Sequence, residues 1–530
     1  MNTIVKNILT GFLLMTTVIS CKKSEFVEEN TDPEVLYGVQ PADQFAAATY
    51  GLPDDFETYY DNFRRIMFWM QMSTADQGNR ANFTRDVSNF NKRYQVFYNR
   101  VGARLSDIES LISKMPAEEQ ESYMQIRNIA KILKAYYAFY VSDINGSIPY
   151  SEAFEARYTG NINPKYDKQS DLFATLDQEL KDAVAALKTT PTATQATLGN
   201  KDMFFSGDVT KWIKTGNAAR LRIAMRMTKV DLGRVTTIVN DVLSVAADQM
   251  ENNDDSWVYK TLSKSYGSGG NWSPIGMRAP KPTLDFMVDK ADPRLRLFYS
   301  KTLEGDYVGS YTSPDESEDH PELYARGDTG ISHLQYRLFD ALEADQDGNL
   351  GEGINFWPLI TYADVCFMRA ELAASGITTE SAEDWYNEGV RSSITFYDKR
   401  ADEANIVDYL AVTPQEINDY LAMPGIAFNS SIALDQIATQ SYLNFNREPN
   451  EAWALYKRTG MPNATTVLSL PVLTSGGSPL PIARRAPLGL VDISSPNHEN
   501  KQAAFAEMAL DPGFGTDPND AFGRVWWDKP

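Results

Sequence analysis

Catalytic chemistry has little to build on in this chain of 530 residues. Histidine occurs only at His320, His333 and His498, and none stands in an HExxH pattern, so the paired imidazoles of a zinc-hydrolase helix are missing. A serine nucleophile on a tight strand-to-helix turn needs glycine two residues before it; at Ser268, in YGSGG, that position is Tyr266. Among 71 acidic residues some pair would meet at glycosidase spacing in any fold, so paired carboxylates carry no information. No catalytic residue is assigned, and the chain is expected not to be an enzyme. One stretch has metal-ligand spacing. In EADQDGNLGEG, Glu343, Asp345, Asp347 and Asn349 alternate and Gly348 supplies a turn, as in the first half of an EF-hand calcium loop. The closing bidentate Glu is replaced by Ile354, so the stretch is either a weak Ca2+ site through Asp345, Asp347 and Asn349 or a solvated acidic turn. The remaining signal is aromatic. Trp272 beside Asn271, with Tyr266 and Arg278 near it in a Gly-rich loop, mixes stacking surface with hydrogen-bonding groups. Sugar rings take that mixture, their C–H faces on the rings and their hydroxyls on the polar groups. The alternative is that Trp272 anchors its loop to the body.

At the other end, an uncharged, mostly apolar run from Ile8 to Val18 follows Lys6 and leads through Ser20 to Cys21. The run is too short for a membrane span but has the length of a signal core. Val18-Ile19-Ser20-Cys21 fits a lipoprotein signal, in which the Cys21 thiol takes a diacylglycerol and becomes the first mature residue. Lys22, Lys23, Glu25, Glu28, Glu29, Asp32 and Glu34 follow, which is no composition for a buried segment. With Cys21 lipidated, Cys366 is the sole thiol and no intrachain disulfide is available. The net charge of −21, which becomes −22 when Lys6 is removed, opposes binding to nucleic acid. From Asp76 to Arg104 the sign reverses, with Arg80, Arg85, Lys92, Arg93, Arg100 and Arg104 against two acids. That suits an anionic ligand, a docking surface or a solvated helix face.

The elements that must position these groups read as helical over about residues 40–250. Ile126, Ile129, Leu133, Tyr137 and Tyr140 share one helix face, as do Trp212, Gly216, Ala219, Ile223 and Met227, the latter helix with Asp208 as N-cap. Ile360, Ala363, Phe367, Ala370 and Ala374 make a third stripe, closed by Gly376, with Cys366 buried beside it. Residues 260–355 lose this period and fill with Gly, Ser, Pro, Asp and Asn, a long loop-rich excursion of the kind that carries function. The chain from 460 is also irregular, and its terminal GRVWWDKP is expected to fold back on the helices.

Six ordered stretches resemble landmarks of the SusD/RagB family of nutrient-binding lipoproteins. They are IAKILKAYYAFYVSDINGSIPYSEAF (129–154), FSGDVTKWIKTGNAARLRIAMRM (205–227), KADPRLRLFYS (290–300), WPLITYADVCFMRAELAASG (357–376), WYNEGVRSSITFY (385–397) and IATQSYLNFNREPNEAWALYKRTGMP (437–462). The resemblance implies a mainly α fold of tetratricopeptide-like helical repeats with an excursion of loops and short strands. Its expected layout is a signal peptide over 1–20, a lipidated acidic tether over 21–38 and one SusD-like domain over 39–530. Within that domain the helical core would cover about 39–260 and 356–460, the excursion about 260–355, and an irregular C-terminal region 461–530. The resemblance further implies an outward-facing, lipid-anchored outer-membrane protein, the non-catalytic lid of a SusC-like TonB-dependent transporter barrel, binding oligosaccharide or, as in RagB-type members, peptide. A surface glycan hydrolase is the less favoured alternative. The family places ligand contacts near an early loop, here QGNRANFTRDV, which adds Arg80 and Phe83 to the ligand candidates Trp272, Tyr266 and Asn271.

Overall fold

The computed structural model describes residues 39–50, 52, 54, 57–261, 274–344, 348–489 and 492–530; of Phe83 and Thr84 it describes the backbone alone. Cys21 and the signal and tether stretches therefore lie outside the described residues, as do Tyr266, Asn271, Trp272, Asp345, Asp347 and the side chain of Phe83. The first half is helical, as the stripes require. Numbering the longer helices, α1 is Pro41–Tyr50, α2 Gly102–Ser113, α3 Met124–Asn145, α4 Gln169–Leu187, α5 Val209–Arg226 and α6 Leu232–Leu243. They pack as successive neighbours: α2 on α1 and α3, α4 on α3 and α5, α6 on α5. On α3 burial extends beyond the expected stripe to Ala130, Ile132, Ala135, Tyr136, Phe139 and Val141, because α2 and α4 flank it. A helix apolar on most faces belongs in the middle of such a stack. Asp208 caps α5, accepting from the N–H of Thr210 at 2.9 Å and of Lys211 at 3.3 Å. Gly216 lets α4 approach closely, since a Cβ there would collide with Val184.

The two halves of the chain meet at a short antiparallel ladder. Strand β1 (Trp257–Thr261) pairs with β2 (Asn355–Ile360), Thr261 opposite Asn355 and Tyr259 opposite Trp357. This ladder clamps both ends of the excursion, so some ninety residues leave and re-enter the body at one place. The excursion is less bare than its composition suggests: it carries α7 (Lys281–Asp289) and several single-turn helices. After β2 come α8 (Tyr362–Ala374), α9 (Ala382–Glu403), α10 (Pro414–Leu421), α11 (Ala433–Asn444) and α12 (Pro449–Thr459), with α8 packed on α9 and α11. One expectation is corrected here. Ile360 ends β2 rather than opening a helix, because Thr361 caps α8: its hydroxyl accepts from Asp364 N–H at 3.1 Å while the Asp364 carboxylate accepts from Thr361 N–H at 2.8 Å. Cys366 is fully buried, and burial pushes its thiol pKa up.

Charge, not only apolar area, joins the helices. Arg222 of α5 pairs with Asp364 of α8 at 2.6 Å and donates to the Tyr136 hydroxyl of α3 at 3.1 Å. Arg226 pairs with Asp143 of α3 at 2.9 Å and with Glu451 of α12 at 2.8 Å. The C-terminal region folds back as expected and is more ordered than its composition implies, with a β3–β4 hairpin (Thr474–Ser475, Ser478–Pro479) and α13 (His498–Met508). Trp527 is buried and donates its indole N–H to the Asp143 carbonyl at 3.0 Å. The basic run from Asp76 to Arg104 is not one solvated face, because Arg93 is fully buried with its guanidinium 3.8 Å from the Tyr140 ring.

Candidate functional site

Two loops singled out separately in the sequence meet in space. Thr74 and Arg278 form an antiparallel bridge, with Thr74 N–H on Arg278 O at 3.1 Å and Arg278 N–H on Thr74 O at 2.9 Å. Arg278 bridges in turn to His333, while Ala279 N–H bonds Ser332 O and Ser310 N–H bonds Ala279 O, each at 2.8 Å. Residues 74, 278–280, 310 and 332–334 thus knit into an irregular sheet whose backbone is satisfied without long strands. The Arg278 side chain is buried beneath it and donates to Gly276 O at 3.2 Å and to the Asp328 carboxylate, which is exposed. Burial lowers the Arg278 pKa and Asp328 opposes the change.

Behind Thr74 the chain turns at Gly78 with φ of +78°, where a side chain would strike Ser317 and Tyr324, so glycine permits both the left-handed backbone and the close approach. Two residues later Arg80 is exposed at the start of a short helix, Ala81–Arg85. The C-terminal hairpin closes the other side. Asp315 accepts from the N–H groups of Gly477 at 3.0 Å and Gly476 at 2.7 Å, which hold its pKa below the usual carboxylate range. Thr312 donates to Gln71 Oε1 at 2.6 Å, and Gln71 in turn donates to Pro471 O at 2.8 Å. Tyr311, an aromatic of the excursion, stacks on His320 at 4.4 Å and 10°, so one of its faces is covered.

The structure therefore unites the Arg80 loop with the Arg278 end of the Trp272 loop. It adds Asp328 and His333, which sequence reading passed over because their partner lies about fifty residues upstream. Asn349 is exposed and its carbonyl accepts from Arg337 at 3.2 Å. Among the described residues no three His, Cys, Asp or Glu side chains cluster so as to hold a metal. Among them, too, no helix is long and apolar enough to cross a membrane.

A mainly helical body, an excursion clamped at its base and a polar loop junction define the class. The family model described as SusD-like, starch-binding associating with outer membrane, matches residues 33–471, and the chain belongs to that family. Among solved structures it is similar to a chitin-binding protein (22% identity, 93% of this chain and all of that one, TM-score 0.73). It is also similar to a chitin-binding SusD homologue from Flavobacterium johnsoniae (21%, 92% and 98%, TM-score 0.66) and to a SusD homologue from Parabacteroides distasonis (19%, 93% and 98%, TM-score 0.69). These likenesses establish the fold. No curated protein matches the chain.

Proposed function

We propose that the chain is a surface nutrient-binding lipoprotein that captures glycan at the loop junction and hands it, without turnover, to a SusC-like TonB-dependent barrel that it covers as a lid. The observation that carries the binding face is the Thr74–Arg278–His333 ladder, which brings the early loop to the end of the loop bearing Tyr266, Asn271 and Trp272. Family membership and full-length likeness to chitin-binding proteins support a glycan, with chito-oligosaccharides the first class to try. In this reading Cys21 carries the lipid anchor, Trp272 is a stacking platform, and Arg80, Asn271 and Tyr266 contribute hydrogen bonds. Calcium at 343–349 is a subsidiary proposal.

Calorimetric titration of the mature protein with chito-oligosaccharides and a panel of other glycans tests it. Removal of one stacking platform should cost about 0.5–1.5 kcal/mol beyond lost contact area, so Trp272→Ala should weaken binding several-fold with an unchanged thermal midpoint. Unchanged affinity with a lowered midpoint makes Trp272 a loop anchor. Binding to peptides and to no glycan moves the chain to the RagB-type reading, and product formation from any glycan overturns the non-catalytic one.

A further inference from the structure

Helices α2 and α4 both pack on α3, and where the three meet a cavity of about 330 Å³ opens that shares no residue with the loop junction. That volume lies at the small end of ligand sites, about 300–1,000 Å³. Its apolar part is slight: Leu105 of α2, Ala130 of α3 and Ala183 of α4, all buried. Charge dominates the rest. Arg127, Lys131 and Lys134 stand at i, i+4 and i+7, a spacing that sets three cations on one face of α3. Glu109 of α2 and Glu179 and Asp182 of α4 line the same space.

These six charges do not all pair with one another. Glu109 accepts from Arg127 on both oxygens, at 2.9 and 2.6 Å, and stands 3.8 Å from the Lys131 ammonium, so it is engaged within the wall. Lys134 differs. It is half-buried, with its ammonium 5.1 Å from the Tyr150 ring and 5.9 Å from the Phe154 ring, and among the described residues it has no hydrogen bond and no carboxylate at ion-pair distance. Burial pushes its pKa down, and the more distant Glu179, Glu109 and Glu155 oppose the change. On α4, Glu179 accepts the Tyr150 hydroxyl on one oxygen, and the exposed Asp182 accepts from the Gln178 amide at 2.8 Å. Neither acid pairs with Lys131 or Lys134, so cations on α3 and acids on α4 border one space without closing it. In the α2 wall Ser106 Oγ is buried without a hydrogen-bond partner among the described residues, an arrangement that costs free energy unless something bonds it.

We propose that this cavity binds a small zwitterion, a free amino acid or a dipeptide, with its carboxylate on Lys134 and Lys131, its ammonium on Glu179 and Asp182, and Ser106 as a further hydrogen-bonding group. A ligand of both signs satisfies both sets of side chains through charge-assisted hydrogen bonds. An anion alone would set its charge against Glu179 and Asp182, and a cation alone against Lys131 and Lys134. No aromatic side chain lines the cavity, so it offers a sugar no stacking face. The inference stands apart from the glycan reading: the helical body takes a second class of small nutrient, away from the loops.

The test is calorimetric titration of the mature protein with glycine, L-alanine, L-leucine and L-alanyl-L-alanine, with acetate and ethylamine as probes of one charge each. Wild type should bind at least one of the zwitterions, and bind it at least about tenfold more tightly than acetate or ethylamine. Lys134→Met keeps the contacts with the rings and removes the ammonium, and Asp182→Asn changes an exposed side chain. Each should weaken that binding by about tenfold, as for the loss of one charge-assisted hydrogen bond, and thermal midpoints verify that both variants are folded. A wild type that binds no zwitterion at millimolar concentration overturns the proposal. So does acetate bound as tightly as the amino acids, or zwitterion binding that survives both substitutions in folded protein. Titration of the same proteins with chito-oligosaccharides reads the glycan site separately, so each of these outcomes leaves the glycan reading standing.

Discussion

Lys457 gives the sharpest energetic prediction. It lies on α12 at 2% exposure, its ammonium 3.9 Å from the Trp453 ring and 4.6 Å from the Trp527 ring, and Nζ makes no hydrogen bond to a described residue. Asp143 and Asp528 face it, but so do Arg226 and Arg484, and burial pushes its pKa down from 10.5 to about 7. At about 1.4 kcal/mol per pKa unit, the drop costs the charged form on the order of 5 kcal/mol. Two indole faces return about 2 kcal/mol to a desolvated ammonium, which leaves roughly 3 kcal/mol against folding at neutral pH. The sign follows from the lowered pKa. Below about pH 7 both folded and unfolded chains carry the proton and the penalty is complete. Between there and about 10.5 the unfolded chain binds the extra proton, so this group's contribution to stability rises with pH. Lys457→Met keeps volume and ring contacts while removing the charge. Urea unfolding by tryptophan fluorescence should find the variant more stable at pH 6 by about 1–4 kcal/mol, the range for replacing buried ions with apolar groups. The advantage should shrink steadily from pH 7 to 10. A variant less stable at pH 6, or a difference flat across that range, would show that the rings hold the ammonium at its ordinary pKa and refute the reasoning.

Four further variants carry predictions. Arg226→Ala leaves Asp143 buried without its cation and Glu451 with Arg222 alone, and should cost about 3–5 kcal/mol in urea unfolding. Burial alone would raise the Glu451 pKa, but Arg222 and Arg226 hold it at about 2, so its contribution is complete above the usual carboxylate range and lost as pH falls toward 2; Glu451→Gln should flatten that limb of the acid-unfolding curve. Asp208→Ala removes two N-cap bonds on α5 and should cost about 1 kcal/mol with no change in glycan affinity. Cys21→Ser should abolish lipid labelling and release the protein from the outer-membrane fraction; a variant that stays surface-accessible and membrane-bound refutes the anchor.

What could be read from the sequence was whatever depends on neighbours within a few residues. The α3 and α5 stripes, the Asp208 cap and the burial of Cys366 are of this kind, since helical period and capping are local rules. The start of α8 was misread although its signal was local too: Thr361 and Asp364 make a capping box, but the apolar run continues through Ile360 into the strand and hid it. The ionic joint was illegible for a different reason. Arg222 and Arg226, four residues apart, look like a solvated helix edge, and the acids that bury them lie 83 to 226 residues away.

The same distinction separates the loop junction from a cleft on the helical body lined by Tyr137, Tyr140, Tyr259, Trp357 and Glu448. Tyr266, Asn271 and Trp272 stand out in sequence because one loop concentrates aromatic and polar residues, and the bridge from Arg278 to Thr74 brings the Arg80 loop beside the described end of that loop. The body cleft concentrates nothing in sequence. Tyr137 and Tyr140 belong to a core stripe, Tyr259 and Trp357 come together only through the cross-strand register of a five-residue ladder, and Glu448 is one acid of many until Arg222 fixes it. Its composition emerges only when β1 finds β2, and that pairing is also what clamps the excursion. A variant that loosens the ladder, such as Val258→Gly, should therefore disturb the excursion it clamps. Measured by glycan titration and thermal unfolding, a Val258→Gly protein that loses both glycan affinity and thermal midpoint would establish the ladder as the support of the excursion. A Val258→Gly protein with affinity intact and a lowered midpoint would show that the loop junction is held by its own contacts.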